Sequence, residues 1–299
     1  MARWSLWLLL AAGGCAVAPT GQRTEPLIGG TPTAPGAFPA TGALWIAFGD
    51  LPPSPTCAAT LLAPDVAVTA AHCFLDAATT PAELVIADDA GDMTAPRVEA
   101  RAVHLHPQFT TQPGADGSAH DVALVLLAHA IDGVTPEVAA TVDDRALVGS
   151  GAPLDVVAFG PTRIDGAGNR KNEAQLRITS GDDSELVAGS DGDTACIGDS
   201  GGAGFVTRAD GSRRLAALVS RAADANAPCS GATRLTRLDA YADWLQAGLT
   251  APGGCDVGHG ARPSPLWWAP LVLLLARRRR ARASSINSAA SVTSPADEP

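Results

Sequence analysis

Positive charge is scarce in this chain. Its 299 residues include 21 Lys and Arg against 31 Asp and Glu, a formal net charge of −10. The arginines at 277–280 and 282 sit together near the C-terminal end, so the rest is more acidic still. An acidic body repels phosphate backbones, which argues against a nucleic-acid partner. Apolar runs long enough to cross a bilayer are missing as well. Residues 266–276 form a run that falls short of the ~17–25 residues a spanning helix needs, and Pro270 interrupts it. No glycine loop of the kind that cradles phosphate is present, and no internal repeat is visible. Metal-ligand clusters are lacking too. His104 and His106 are spaced to share one face of a strand but have no Cys or carboxylate beside them, so they read as structural. Asp182, Asp183, Asp191 and Asp193 read as solvated loop charges. Neither a metal nor a cofactor is expected.

What the chain does have is three short segments whose chemistries complement one another. Ser200 lies in Cys196-Ile197-Gly198-Asp199-Ser200-Gly201-Gly202, His72 in Val68-Thr69-Ala70-Ala71-His72-Cys73, and Asp121 in His120-Asp121-Val122-Ala123-Leu124. Each alone has an ordinary reading, as a turn, a strand end with a core histidine, and a buried strand. Together they supply a reaction. A serine hydroxyl is a poor nucleophile at neutral pH, so an imidazole must take its proton during attack and return it to the leaving amine. A buried carboxylate must hold that imidazole in one tautomer and stabilise the imidazolium that forms.

In the order His, Asp, Ser these segments resemble the chymotrypsin–trypsin family of serine peptidases. The resemblance implies an all-β fold of two packed six-stranded antiparallel barrels, with the active site in the cleft between them and a short C-terminal helix. It implies an oxyanion hole made by the amides of Gly198 and Ser200, with glycine at 198 because a tight turn is needed there. Pro26-Leu27-Ile28-Gly29-Gly30 stands where the family is cut on activation, without the basic residue usual before the cut. Leu27 would become a new N-terminus, released by a separate activating protease, and its ammonium would pair with Asp199. The substrate pocket falls on Thr194, Ser220, Ala222 and Thr233. Thr194 stands where trypsin-like members carry aspartate, Arg221 replaces an aromatic residue, and Ala222 and Thr233 replace glycines. A shallow, uncharged pocket follows, suited to a small apolar side chain before the scissile bond, with Asp193 one residue from the floor. The disulfides implied by the family are Cys57–Cys73 and Cys196–Cys229; the sequence by itself allows other pairings. Partners would be protein or peptide substrates.

Periodicity supports the all-β reading independently. Short apolar runs at 43–48, 58–62, 66–69, 97–103, 122–127, 154–159 and 215–219 are separated by Gly, Pro and Asp turns. Leu238, Tyr241, Trp244, Leu245 and Leu249 recur at helical spacing, with Asp239 as the expected N-cap. The ends of the chain read differently. Residues 1–18 carry one basic residue, a short apolar core and an Ala16-Val17-Ala18 cleavage pattern, as a signal peptide does; Ala12-Gly13-Gly14-Cys15 is a loose lipoprotein box. The expected layout is signal peptide 1–18, propeptide 19–26, peptidase domain 27–249, a linker 250–265 containing Cys255, a hydrophobic segment 266–276, and an arginine cluster and tail 277–299. Cysteine, apolar segment and arginines in that order resemble the C-terminal sorting signals of myxobacterial surface proteins, in which the cysteine is the anchoring point. That implies export, membrane contact through the C-terminal segment, and anchoring at Cys255. Two function classes are compatible with all this: an active exported endopeptidase, or a latent relative serving as a surface-anchored binding module.

Overall fold

In the computed structural model, residues 27–74, 81–111, 118–160, 170–190, 192–226 and 229–250 are described. Fifteen strands and one helix run along them: β1 (Thr31–Pro32), β2 (Thr41–Ile46), β3 (Ser54–Ala63), β4 (Val66–Thr69), β5 (Ala82–Val85), β6 (Arg97–Leu105), β7 (Thr110–Thr111), β8 (Ser118–Ala119), β9 (Ala123–Leu127), β10 (Pro153–Ala158), β11 (Asn172–Gly181), β12 (Glu185–Ala188), β13 (Ala203–Thr207), β14 (Arg213–Ala222), β15 (Thr233–Arg237) and α1 (Ala242–Thr250). Strands β2-β3-β4-β9-β6-β5 close into one barrel. A second barrel runs β11-β10-β13-β14-β15-β12, closed by the β11–β12 pairing, with β1 added to β11. Every ladder in both barrels is antiparallel. This is the expected architecture.

The sequence makes these strands by alternation with two apolar faces. Along β9, Val125 and Leu127 fill the first barrel, whereas Leu124 and Leu126 face outward into a separate core. On β4, Ala67 points in and Val66 and Val68 point out to that same core, where Val157, Phe205, Leu215 and Leu218 of the second barrel meet them. Both faces are therefore buried, and the run 122–127 reads as continuously apolar. The second barrel has its own filling, including Leu154, Val156, Leu176, Ile178 and Leu186.

The C-terminal helix seals the interface, with Leu238, Tyr241 and Leu245 buried in it and Trp244 and Leu249 packed against it. Its start differs from expectation. A 3₁₀ turn, Asp239–Tyr241, precedes α1, and no side chain caps it. Asp239 is instead drawn into ion pairs with Arg237 (2.8 Å) and Arg145 (3.0 Å). A charge-assisted bond to guanidinium is stronger than a bond to an end amide, so the arginines win. Strand β3 also begins before the expected hairpin, which places Cys57 inside the strand rather than ahead of it.

Among the described residues two disulfides are present, Cys57–Cys73 and Cys196–Cys229. Among the described residues no helix is long and apolar enough to cross a membrane. The expected signal peptide, Cys15, Cys255, the apolar segment 266–276 and the arginine cluster lie outside the described residues.

Candidate active site

Strand pairing brings the first two residues of the site together. His72 lies in the 3₁₀ turn just after β4, and Asp121 lies just before β9; the two strands pair so that Thr69 stands opposite Ala123. Asp121 Oδ1 accepts the His72 backbone N–H at 2.8 Å and Oδ2 lies 2.7 Å from Nδ1. The Cys57–Cys73 bridge holds the turn to β3.

Ser200 arrives from the other barrel, on the loop that leads into β13. Ala58 N–H donates to the Ser200 carbonyl (2.8 Å) and Gly201 N–H to the Val219 carbonyl (2.8 Å), so the loop is fixed to both barrels. Gly201 is obligatory here. Its φ is +75°, and a Cβ would stand 2.2 Å from the Ala58 oxygen. Ser200 Oγ then sits 2.8 Å from His72 Nε2, completing the line Asp121–His72–Ser200. All three expected residues meet.

Ser220 adds a fourth group. The β14–β15 register slips between Val219 and Arg221, so Ser220 is the extra residue of a β-bulge and is free of the ladder. Its hydroxyl donates to Asp121 Oδ2 at 2.5 Å. Expected as pocket lining, Ser220 does line the cleft and also serves the carboxylate. Burial of Asp121, 1% exposed, pushes its pKa up, but bonds from the His72 ring, Ser220 and the His72 amide outweigh that and hold it below the usual carboxylate range. Asp121 therefore stays ionised where the imidazole needs it.

The two amides expected to face the oxyanion, those of Gly198 and Ser200, lie on the loop that leads into β13. Gly198 has φ +95°, accessible to glycine without penalty. Among the described residues, neither the Gly198 nor the Ser200 N–H is taken by a protein acceptor. The conformation of this loop rests on Asp199, fully buried, which accepts N–H groups from Cys196 (2.8 Å), Gly160 (2.9 Å) and Leu27 (3.2 Å). Burial pushes the Asp199 pKa up to about 6 against the pull of those three amides. Gly160 carried no readable signal in the sequence. It matters because a Cβ there would fall 2.5 Å from Asp199 Oδ1.

Beside Ser200 lies a cavity of about 210 Å³, walled by 195–198 and 219–222 and closed by Thr233. Thr194 is displaced from its expected role as the floor. It does not line the cavity; Thr194 and Thr233 are each 1% exposed, with their hydroxyls 2.7 Å apart. Thr233 Oγ1 also accepts the Ala195 N–H at 2.9 Å, which fixes it among the residues lining the cleft. Ala222 lines the wall. Asp193 faces the other way: it is exposed, presses against Gly29 and lines a separate cavity of about 360 Å³. Arg221 lies at the rim, held by both oxygens of Glu185 (2.6 and 3.0 Å), which also receives Arg234 at 3.4 Å. Of the other carboxylates set aside above, Asp182 accepts the amides of Ser184 and Glu185 and Asp183 reaches Arg145 at 3.9 Å, while Asp191 lies outside the described residues.

Two barrels with a serine, an imidazole and a buried carboxylate aligned between them define a serine endopeptidase. The family model for trypsin matches residues 27–245, well over half of the chain, and the chain belongs to the trypsin family. A search of curated proteins found no match to the chain.

Proposed function

We propose that this chain is an exported endopeptidase that cleaves through Ser200, His72 and Asp121. The carrying observation is the 2.8 Å approach of His72 Nε2 to Ser200 Oγ with Asp121 on the opposite ring nitrogen. Ser200 Oγ attacks the scissile carbonyl as His72 takes its proton. The oxyanion that forms lies against the Gly198 and Ser200 amides, each such donor being worth roughly 3–4 kcal/mol of barrier. His72 then protonates the leaving amine, and water attacks the acyl-enzyme by the same route in reverse.

Three refinements belong to the same reading. Activation is a cut before Leu27, because its nitrogen already touches Asp199; the activating protease accepts proline before the bond, so it is not a trypsin-like self-cut. The residue before the substrate's scissile bond is small and apolar, because the cleft ends at the bonded Thr233 and no described carboxylate lines it. The two disulfides fit an oxidising compartment, and residues 1–18 and Cys255 would direct export and surface anchoring.

Fluorophosphonate labelling tests the core claim. The wild-type chain should be labelled and cleave peptides, and Ser200→Ala should do neither. Cleavage that survives in purified Ser200→Ala protein rules the assignment out.

A further inference from the structure

We propose that His120 is a positioning residue: its left-handed backbone, pinned from the C-terminal segment, aims Asp121 at His72. The proposal rests on the peptidase reading above and adds to it a residue with no part in the proton transfers. Among the described residues only Leu27, Phe38 and His120 are non-glycines with positive φ, and His120 at +53° directly precedes Asp121. That conformation is unfavourable for an L-residue, although His tolerates it better than most. Something must hold it.

The holding groups come from three places. Tyr241, in the 3₁₀ turn before α1, has its hydroxyl 3.2 Å from His120 Nδ1. The His106 ring, just past β6, stacks on His120 at 5.3 Å. His106 is in turn met edge-on by Tyr241 at 5.0 Å and by Trp244 of α1 at 5.1 Å. The histidine at 106, read from sequence as structural, thus belongs to an aromatic cluster that grips residue 120.

The consequence falls on Asp121. Val122 N–H donates to the His120 carbonyl at 2.8 Å, closing a three-residue turn with Asp121 at its apex. His106 N–H takes the Val122 carbonyl (3.0 Å) and Thr236 Oγ1 takes the Asp121 carbonyl (3.1 Å), so the backbone is clamped on both sides of the apex. The His120 side chain leaves toward the aromatic cluster, and the Asp121 carboxylate toward His72 and Ser220. With an ordinary extended residue at 120 the chain would enter this turn from another direction, away from the aromatic cluster, and the carboxylate would swing off the imidazole.

The test is kinetic and uses the purified active enzyme. His120→Val, which resists positive φ, should lower kcat and the rate of fluorophosphonate inactivation about 10- to 100-fold, as expected for a misplacement of ångström scale. KM should stay within about threefold, since no substrate contact is lost. His120→Asn, which accepts the same φ, should stay within about threefold of wild type in kcat. On an Asp121→Ala background, His120→Val should add less than about twofold, because a residue that works through Asp121 has nothing left to aim. Tyr241→Phe removes only the pinning hydroxyl, so it remains informative if the valine variant does not fold; it should lower kcat about threefold or more. Wild-type kcat in His120→Val or Tyr241→Phe, an Asn variant as poor as the Val variant, or full additivity with Asp121→Ala would overturn the proposal. A wild-type chain that fluorophosphonate does not label would instead overturn the peptidase reading itself.

Discussion

Thr233 decides how deep the cleft is, because one hydroxyl bonds both Thr194 and the Ala195 amide. A methylene more or less in an apolar pocket changes preference by about 1–3 kcal/mol, or roughly 10- to 200-fold. Thr233→Gly removes the whole side chain that closes the bottom. We expect cleavage by wild-type enzyme after Ala or Val, and a shift in Thr233→Gly toward Leu and Phe of at least about tenfold in relative kcat/KM. The variant should also be less stable by about 1–3 kcal/mol, since the Ala195 N–H, 4% exposed in its residue, loses its acceptor. A peptide-library digest reads the first effect and denaturant unfolding the second. Dominant cutting after Arg or Lys by wild type would refute the uncharged-pocket reading, for it would need Asp193 to leave Gly29 and enter the cleft.

At the scale of elements, the nucleophile loop is tied at one end by Cys196–Cys229, which closes a separation of 33 residues. Chain-entropy arguments assign about 3–4 kcal/mol to a loop of that length. Replacing both cysteines with alanine should lower stability by about 2–4 kcal/mol and cut activity, because the backbone N–H at 196 that holds Asp199, though kept, is no longer tethered to residue 229. Unchanged unfolding in the double variant would show that the loop is held by other means. Much of this element-level structure was legible beforehand. Runs such as 122–127 and 66–69 are bounded by turns and became β9 and β4 with little change, because burial on both faces demands apolar residues at every position. The segments around His72, Asp121 and Ser200 were legible because nucleophile chemistry restricts which residue types can stand together, whereas Asp199 and the two disulfide pairings came only with the resemblance those segments carry. What was not legible depended on partners remote in sequence: Arg145, 94 residues from Asp239, took the expected N-cap away. Thr194 and Thr233 meet across 39 residues of chain, a contact no local pattern announces. Left-handed backbone at a histidine leaves no mark in composition or periodicity.

For the whole molecule, the N-terminal segment is the part that bears on everything else. Leu27 is fully buried and bonded to Asp199, and the next residue, Ile28, bridges to Thr194, so loop and pocket base both lean on one stretch of chain. In the uncut chain the Leu27 nitrogen is a neutral amide and its φ is +48°, which costs about 1–2 kcal/mol. Asp199 then ionises with only amides for company, and burial raises its pKa from 3.8 to about 6. The folded state therefore binds more protons than the unfolded state between about pH 4 and pH 6, and stability must fall as pH rises through that window. Integrated over the shift, the loss is about 3 kcal/mol above pH 6. A cut before Leu27, as proposed above, would abolish the φ restriction and put an ammonium beside the carboxylate, lowering the Asp199 pKa and removing the penalty. Urea unfolding should thus find the form beginning at Leu27 more stable than the uncut chain by about 1–2 kcal/mol at pH 4, with a gap widening by about 3 kcal/mol by pH 7. Taking the difference between the two forms cancels the other titrating groups, Asp121 among them. In the uncut chain Asp199→Asn should flatten the fall. A gap that stays constant from pH 4 to pH 7, or an active form whose N-terminal residue is not Leu27, would refute this account of activation.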